Sequence, residues 1–160
     1  MEKYHMRRED REIKDKFEIE DILYKGKYIT LALCIENEPY IVTLSYGYKK
    51  ENNAIYLHAA KEGLKHEFIS SNPRVCATII EDNGYIQNEC GHEYRSLVIR
   101  GTISYVEQLD EKKQGMEVIL KHLEDEPSII KERSLKNDAV YNNILILKLD
   151  IKEITGKKGR

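Results

Sequence analysis

No stretch of this sequence is both long and apolar enough to cross a bilayer, and its first residues are charged rather than an apolar leader. Neither sign of charge prevails: 26 basic residues stand against 28 acidic ones, a net charge of −2. The basic stripe of a nucleic-acid protein is missing, and the Arg7-Arg8 and Lys157-Lys158 pairs are too short and too interleaved with acids to supply one. The expectation is a cytoplasmic protein with no nucleic-acid or membrane partner.

Cysteine is scarce as well. Cys34, Cys76 and Cys90 are odd in number and far apart, with no Cys-x-x-Cys. Cys34 and Cys76 lie in apolar runs and read as small buried hydrophobes. Cys90-Gly-His92 offers a thiolate and an imidazole, but zinc needs three or four ligands and no second Cys/His pair lies nearby. No metal site is expected. There is also no Gly-x-Gly-x-x-Gly fingerprint, no defensible Ser-His-Asp or paired-carboxylate constellation, and no internal repeat.

What is present suits one domain over 1–160, with 1–15 as a charged N-terminal arm. Phe17, Ile22 and Leu23 give a helical stripe over Lys16 to Lys25, closed by Gly26. Strands are expected at Tyr28 to Ile35, Pro39 to Tyr48, Ile55 to Ala59, Arg74 to Glu81, Arg95 to Val106 and Ile144 to Ile151. Asp82 to Glu93 reads as a loop or a ragged hairpin, and Gly101 as a bulge or sharp bend in its strand. Asp110 is expected to cap a helix whose apolar face is Met116, Ile119, Leu120 and Leu123. Pro127 to Asp138 looks polar and irregular. Six antiparallel strands with inserted helices indicate a mainly β, split or closed barrel rather than a doubly wound sheet.

The most informative stretch runs from Ala54 to Val75. A short strand ends at His58, a cationic turn Lys61-Glu-Gly-Leu-Lys65 follows, and a short helix around Lys65 to Ile69 stops at Asn72-Pro73. Lysines, a glycine turn and the N–H groups of a helix start all favour an anion such as phosphate. Lysines beside a turn can equally be solvated, and the segment alone leaves both readings open. His5, His66, His92 and His122 lie in polar contexts that predict surface positions.

Taken with Met6-Arg-Arg8, Glu38-Pro-Tyr40, His58-Ala-Ala60, Glu62-Gly-Leu-Lys65, Asn72-Pro73, Ser96, Gly101 and Ile154-Thr-Gly-Lys157, the chain resembles a known family. It is the FMN-binding split-barrel family related to pyridoxamine 5'-phosphate oxidase, in its nitroimidazole-resistance reductase branch. The resemblance implies a six-stranded antiparallel split β-barrel that binds FMN. It implies that the strand Tyr40 to Ser45, with Ile41, Val42, Thr43 and Leu44, pairs with the flavin ring edge. His58, Ala59, Lys61 and Lys65 would then surround the phosphate, with Ser96 near the ring. His58 is the candidate for proton transfer or substrate polarisation.

The resemblance further implies a homodimer with FMN at the interface, where Lys157 could reach the partner's flavin. The stretch 154–160 could equally be a solvated tail. The implied activity is an FMN-dependent oxidoreductase passing electrons to a small planar acceptor, with a nicotinamide donor binding transiently. The alternative is a non-catalytic flavin-binding or haem-handling protein of the same fold. The arginine clamp of the oxidase is replaced here by Lys61-Glu-Gly-Leu-Lys65, and its vitamin-recognition tract has no counterpart, so vitamin oxidation is not the expected activity.

Overall fold

A computed structural model describes residues 6–159. The elements follow the order β1 (Glu12–Ile13), α1 (Lys16–Lys25), β2 (Tyr28–Ile35), β3 (Glu38–Lys49), β4 (Ala54–Ala59), α2 (Lys65–Ser71), β5 (Arg74–Ile86), β6 (Gly91–Tyr105), α3 (Leu109–Leu123), α4 (Pro127–Ser134), α5 (Asp138–Asn143) and β7 (Leu145–Lys158). All seven strands join one antiparallel sheet in the order β1-β7-β4-β3-β2-β5-β6, and β7 also pairs with β6. That second pairing closes a six-strand ring, to which β1 adds a short edge. The mainly β split-barrel reading is therefore correct.

Alternation explains the ring's inside. Ile29, Leu31 and Leu33 of β2, Ile55 and Leu57 of β4, Leu97 and Ile99 of β6, and Leu147 and Leu149 of β7 point into one core. A second apolar cluster lies outside the ring, where Met116, Ile119 and Leu120 of α3 cover Ala54, Tyr56 and Ile146. Gly115 permits that approach, because a Cβ there would fall 2.7 Å from the Tyr56 ring. Gly101 sits at a register shift between β6 and β7, where any side chain would meet the Asp150 carbonyl. The bend expected there is present.

Several boundaries differ from the sequence reading. The arm contributes β1, whose Ile13 is buried and whose residues pair with Gly156 and Lys157. Strand β7 accordingly runs on to Lys158 instead of ending at Ile151, so Thr155 to Lys158 are sheet and not tail. Strand β5 continues past Glu81 into a hairpin with β6, interrupted by a bulge between Asp82 and Gly84. Gln108, not Asp110, is the N-cap of α3, and Asp110 occupies the first turn, where its charge suits the helix dipole. Pro127 opens α4 at a position that needs no N–H, within a stretch expected to be irregular. Phe17 leaves the α1 stripe and is largely exposed, whereas Ile22 and Leu23 are buried.

The histidines also differ. His5 lies outside the described residues. His92 is exposed and 2.7 Å from Asp82, as its context suggests. His66 and His122 are half-buried, contrary to expectation, because each is held by hydrogen bonds from distant elements. His122 donates from Nε2 to the Gly26 carbonyl at 2.6 Å and lies against the Tyr46 ring. Tyr46 in turn donates to the Leu23 carbonyl at 2.6 Å, so α1, α3 and the barrel are fastened together.

Burial is the main cause that lowers the His122 pKa, and Lys27 adds to it against the Gly26 hydrogen bond. A histidine depressed in the fold contributes stability that is complete above its unfolded value near 6.5 and is lost as pH falls below it. Thermal unfolding should therefore occur at lower temperature at pH 5 than at pH 7.5. His122→Gln, which keeps an N–H for Gly26, should shrink that difference. His58 is shifted the same way by burial and keeps part of the effect in the variant. An unchanged pH dependence in His122→Gln would remove this residue from the account.

Candidate functional site

The barrel is split between β3 and β4. Their ladder runs only from Lys49↔Ala54 to Tyr46↔Leu57, after which the strands part. From Glu38 to Ser45, β3 pairs with β2 on one edge and, among the described residues, with no strand on the other. Continuing the register would set Leu44 opposite Ala59 and Thr43 opposite Ala60. The split is therefore bordered by the two segments that the sequence reading singled out.

Helix α2 closes the inner side of this gap. Its Phe68 and Ile69 are buried, Phe68 packs on Tyr40 with ring centroids 5.0 Å apart, and the Asn72 amide donates to the Cys34 carbonyl. Val42 and Leu44 turn toward the core, whereas Ile41 and Thr43 turn outward. The unpaired edge thus belongs to a strand fixed by β2 on its other edge and by the core on its inner face, which suits a planar partner that pairs as a strand would.

The turn after β4 carries the cations. Lys61 reaches the Asn143 side-chain oxygen on α5 at 3.4 Å, and Lys65 donates to the Glu62 carbonyl at 3.1 Å. Gly63 adopts φ 123°, which a side chain would resist. The helix start is less open than the sequence suggested: the His66 and Glu67 amides are already bonded to the Gly63 and Leu64 carbonyls. The lysine side chains are the main cationic resource here. Ala59 is buried in the barrel core, beside this turn.

His58 alternates with Ala59 and so lies on the outer face of β4, in line with Tyr56 and past the cover of α3. Its ring is solvent-accessible, yet enough protein surrounds it that desolvation lowers its pKa. Among the described residues it has no hydrogen-bond partner.

Ser96 and Lys157 are directly paired across β6 and β7, and the Ser96 hydroxyl approaches the Lys157 carbonyl at 3.5 Å. They lie at the end of β7 remote from Leu145, the partner of Ala59. One chain therefore does not bring them to the lysine turn. They do share the outer sheet face with Ile41 and Thr43. Residues Thr43, Thr30, Thr78, Val98 and Thr155 form one row across five strands, and Ser96 and Lys157 belong to the next-but-one row from Ile41.

That outer face is unusually apolar for solvent. Tyr28 is 60% exposed, Ile41 67% and Ile80 56%. A groove of about 530 Å³ opens on it between Ala32, Cys34, Pro39, Cys76 and Arg100. Cys34 and Cys76 are half-buried on this face instead of fully buried in the core. On the inner side of the sheet, at the end of the barrel where α1 packs, Arg95, only 19% exposed, binds Glu81 at 2.6 Å and Asp21 at 2.7 Å and so ties α1 to the sheet. Sequence reading missed this network because its members lie far apart in the chain.

A profile of the pyridoxamine 5'-phosphate oxidase family matches residues 15–158. The chain belongs to that family. No curated protein sequence matches it. Among solved structures, one from Bacteroides thetaiotaomicron, described as a proposed 5-nitroimidazole antibiotic resistance protein, is 26% identical with a TM-score of 0.78. The match covers 92% of this chain and 86% of that one. An FAD-binding protein from Mesorhizobium loti is 21% identical with a TM-score of 0.66, covering 92% and 96% of the two chains. A proposed pyridoxamine 5'-phosphate oxidase from Listeria innocua is 20% identical with a TM-score of 0.60, covering 86% and 94%. The fold is thus the split barrel that these structures share. No helix among the described residues is long and apolar enough to cross a membrane.

Proposed function

We propose that the chain is an FMN-dependent, nitroreductase-like oxidoreductase acting as a homodimer with flavin at the subunit interface. The observation that carries this reading is the unpaired edge of β3 from Glu38 to Ser45, bordered by the turn that bears Lys61 and Lys65. A flat heterocycle with a donor–acceptor edge and a phosphate tail matches both features at once. The residues present fit FMN: backbone of Tyr40 to Ser45 for the ring edge, and Lys61 and Lys65 for the phosphate. The likeness to the Bacteroides protein supports the nitroreductase-like branch.

The bound cofactor's chemistry would be two-electron transfer from a donor such as a nicotinamide nucleotide to a small planar acceptor such as a nitroaromatic or a quinone. The chain's own task is to hold and orient. Ile41 and Thr43 present a flat surface beside the ring edge. His58, whose pKa burial lowers so that the uncharged ring is favoured, is the candidate to take up or return a proton. Ser96 and Lys157 enter the site only from a second copy, whose outer face would cover Tyr28, Ile41 and Ile80.

The purified protein should absorb in the blue and near-ultraviolet, and mass spectrometry of the released chromophore should give FMN. With a nicotinamide donor it should reduce a nitroaromatic. Lys65→Ala should weaken FMN binding by roughly tenfold or more, as loss of a charge-assisted bond predicts, and Lys61→Ala by less. A protein that takes up no FMN at micromolar concentration would refute the reading. Equal affinities in wild type and Lys65→Ala would remove that residue from the site.

A further inference from the structure

We infer that His66 and Tyr105 are positioning residues that set the lysine turn for the phosphate of a flavin; this rests on the reading proposed above. The turn, residues 60–64, joins β4 to α2. The His66 Nε2 lies 2.8 Å from the Ala60 carbonyl, and its Nδ1 lies 3.0 Å from the Tyr105 hydroxyl. A carbonyl only accepts, so Nε2 carries the proton. In the neutral ring Nδ1 is then the acceptor, and Tyr105 donates to it. Tyr105 itself is fixed at the end of β6, paired with Leu147 of β7. The rings of His66 and Tyr105 also stack, with centroids 5.9 Å apart.

This chain of contacts dictates which way the turn's peptides face. In a trans peptide the C=O and the following N–H point in opposite directions, and no cis bond occurs here. The Ala60 carbonyl drawn toward His66 therefore turns the Lys61 N–H away from α2. The Glu62 carbonyl accepts from the Lys65 ammonium, which holds that lysine against the same turn. The Lys61 amide is thereby held in one orientation within the turn that carries both lysines, as a fixed anion cradle requires. His66 touches no anion itself. It links the turn to the rigid barrel through Tyr105.

The test compares FMN with riboflavin, which share a ring and differ in the phosphate. Dissociation constants for both are measured by flavin fluorescence on the full chain and on His66→Phe, Tyr105→Phe and His66→Gln, and melting is followed without flavin. His66→Phe keeps an aromatic ring but loses both hydrogen bonds, and should cut the FMN-over-riboflavin preference about tenfold. Tyr105→Phe loses one bond and should cut it about threefold. His66→Gln keeps a donor and an acceptor and should recover part of the preference. Riboflavin affinity should stay near the wild-type value throughout. If FMN and riboflavin affinities fall in step, or the preference is unchanged in both phenylalanine variants, His66 and Tyr105 do not position the turn. If the wild type binds flavin without preferring FMN, this inference falls while flavin binding stands. Should the wild type bind neither flavin, the flavin reading falls and takes this inference with it.

Discussion

Ile80→Glu combined with Tyr28→Ser should yield a folded monomer whose FMN affinity is about a hundredfold weaker, or ~2.7 kcal/mol. Both side chains lie on the outer sheet face, 56% and 60% exposed, and neither belongs to the segments proposed to hold the cofactor. In a single chain they lose little by becoming polar. In a symmetric interface each is buried twice, and each fully covered side chain of this size contributes roughly 1.5–3 kcal/mol. A buried glutamate at the same place would add a desolvation cost.

Light scattering gives the mass, and flavin fluorescence gives the affinity. The expected outcome is one chain per particle with flavin binding largely lost and melting little changed. A variant that remains dimeric would move the interface elsewhere on the surface. A monomer that binds FMN like the wild type would show that one chain suffices. In that case Ser96 and Lys157 would have no part in the site, because the remote end of β7 keeps them from the lysine turn.

How much of this was legible in the sequence depended on whether the signal was local. Strands β2 and β4 and the apolar face of α3 carry their own periodicity, and they stand where that periodicity put them. The end of β7 carries no such signal. Thr155-Gly-Lys-Lys158 has little strand propensity, and it is extended because β1 and β6 flank it and Gly156 lets Ile13 approach. His66 looked like a surface histidine because its partner Tyr105 is 39 residues away. The split itself is a matter of register, of where β3 and β4 stop pairing, and only the family resemblance pointed to it.

The cations of the candidate site were visible as residue types, but their directions were not. Lys61 and Lys65 stand at the turn as expected, whereas the helix-start amides at 66 and 67 are already engaged within the chain. His58 was identified from its place at a strand end. Its exposure on the outer face and its lowered pKa follow from the alternation of β4 and from the extent of α3, neither of which one residue's neighbours encode.

The second large effect is expected at the C-terminus. Deleting residues 156–160 should lower the melting temperature by roughly 6–12 °C, corresponding to ~3 kcal/mol for a chain of this size. A solvated tail would lose nothing. Here the deletion removes Gly156, Lys157 and Lys158 from a ladder shared with Arg95 to Leu97 on one side and with Glu12 and Ile13 on the other. It also uncovers Ile13, which is buried, and removes the Lys158–Glu18 ion pair at 3.0 Å. Backbone hydrogen bonds at about 1 kcal/mol each account for most of the loss. Because the deletion damages the sheet, any drop in flavin affinity it caused would be ambiguous. Lys157→Ala separates the two roles: it keeps the backbone ladder and removes only the ammonium. If the partner's sheet face supplies this charge to the flavin, Lys157→Ala should melt like the wild type and bind FMN several-fold more weakly, with riboflavin or FMN reduction slowed accordingly. Wild-type flavin affinity in Lys157→Ala, together with the expected loss of stability in the deletion, would leave the β7 end a purely structural strand.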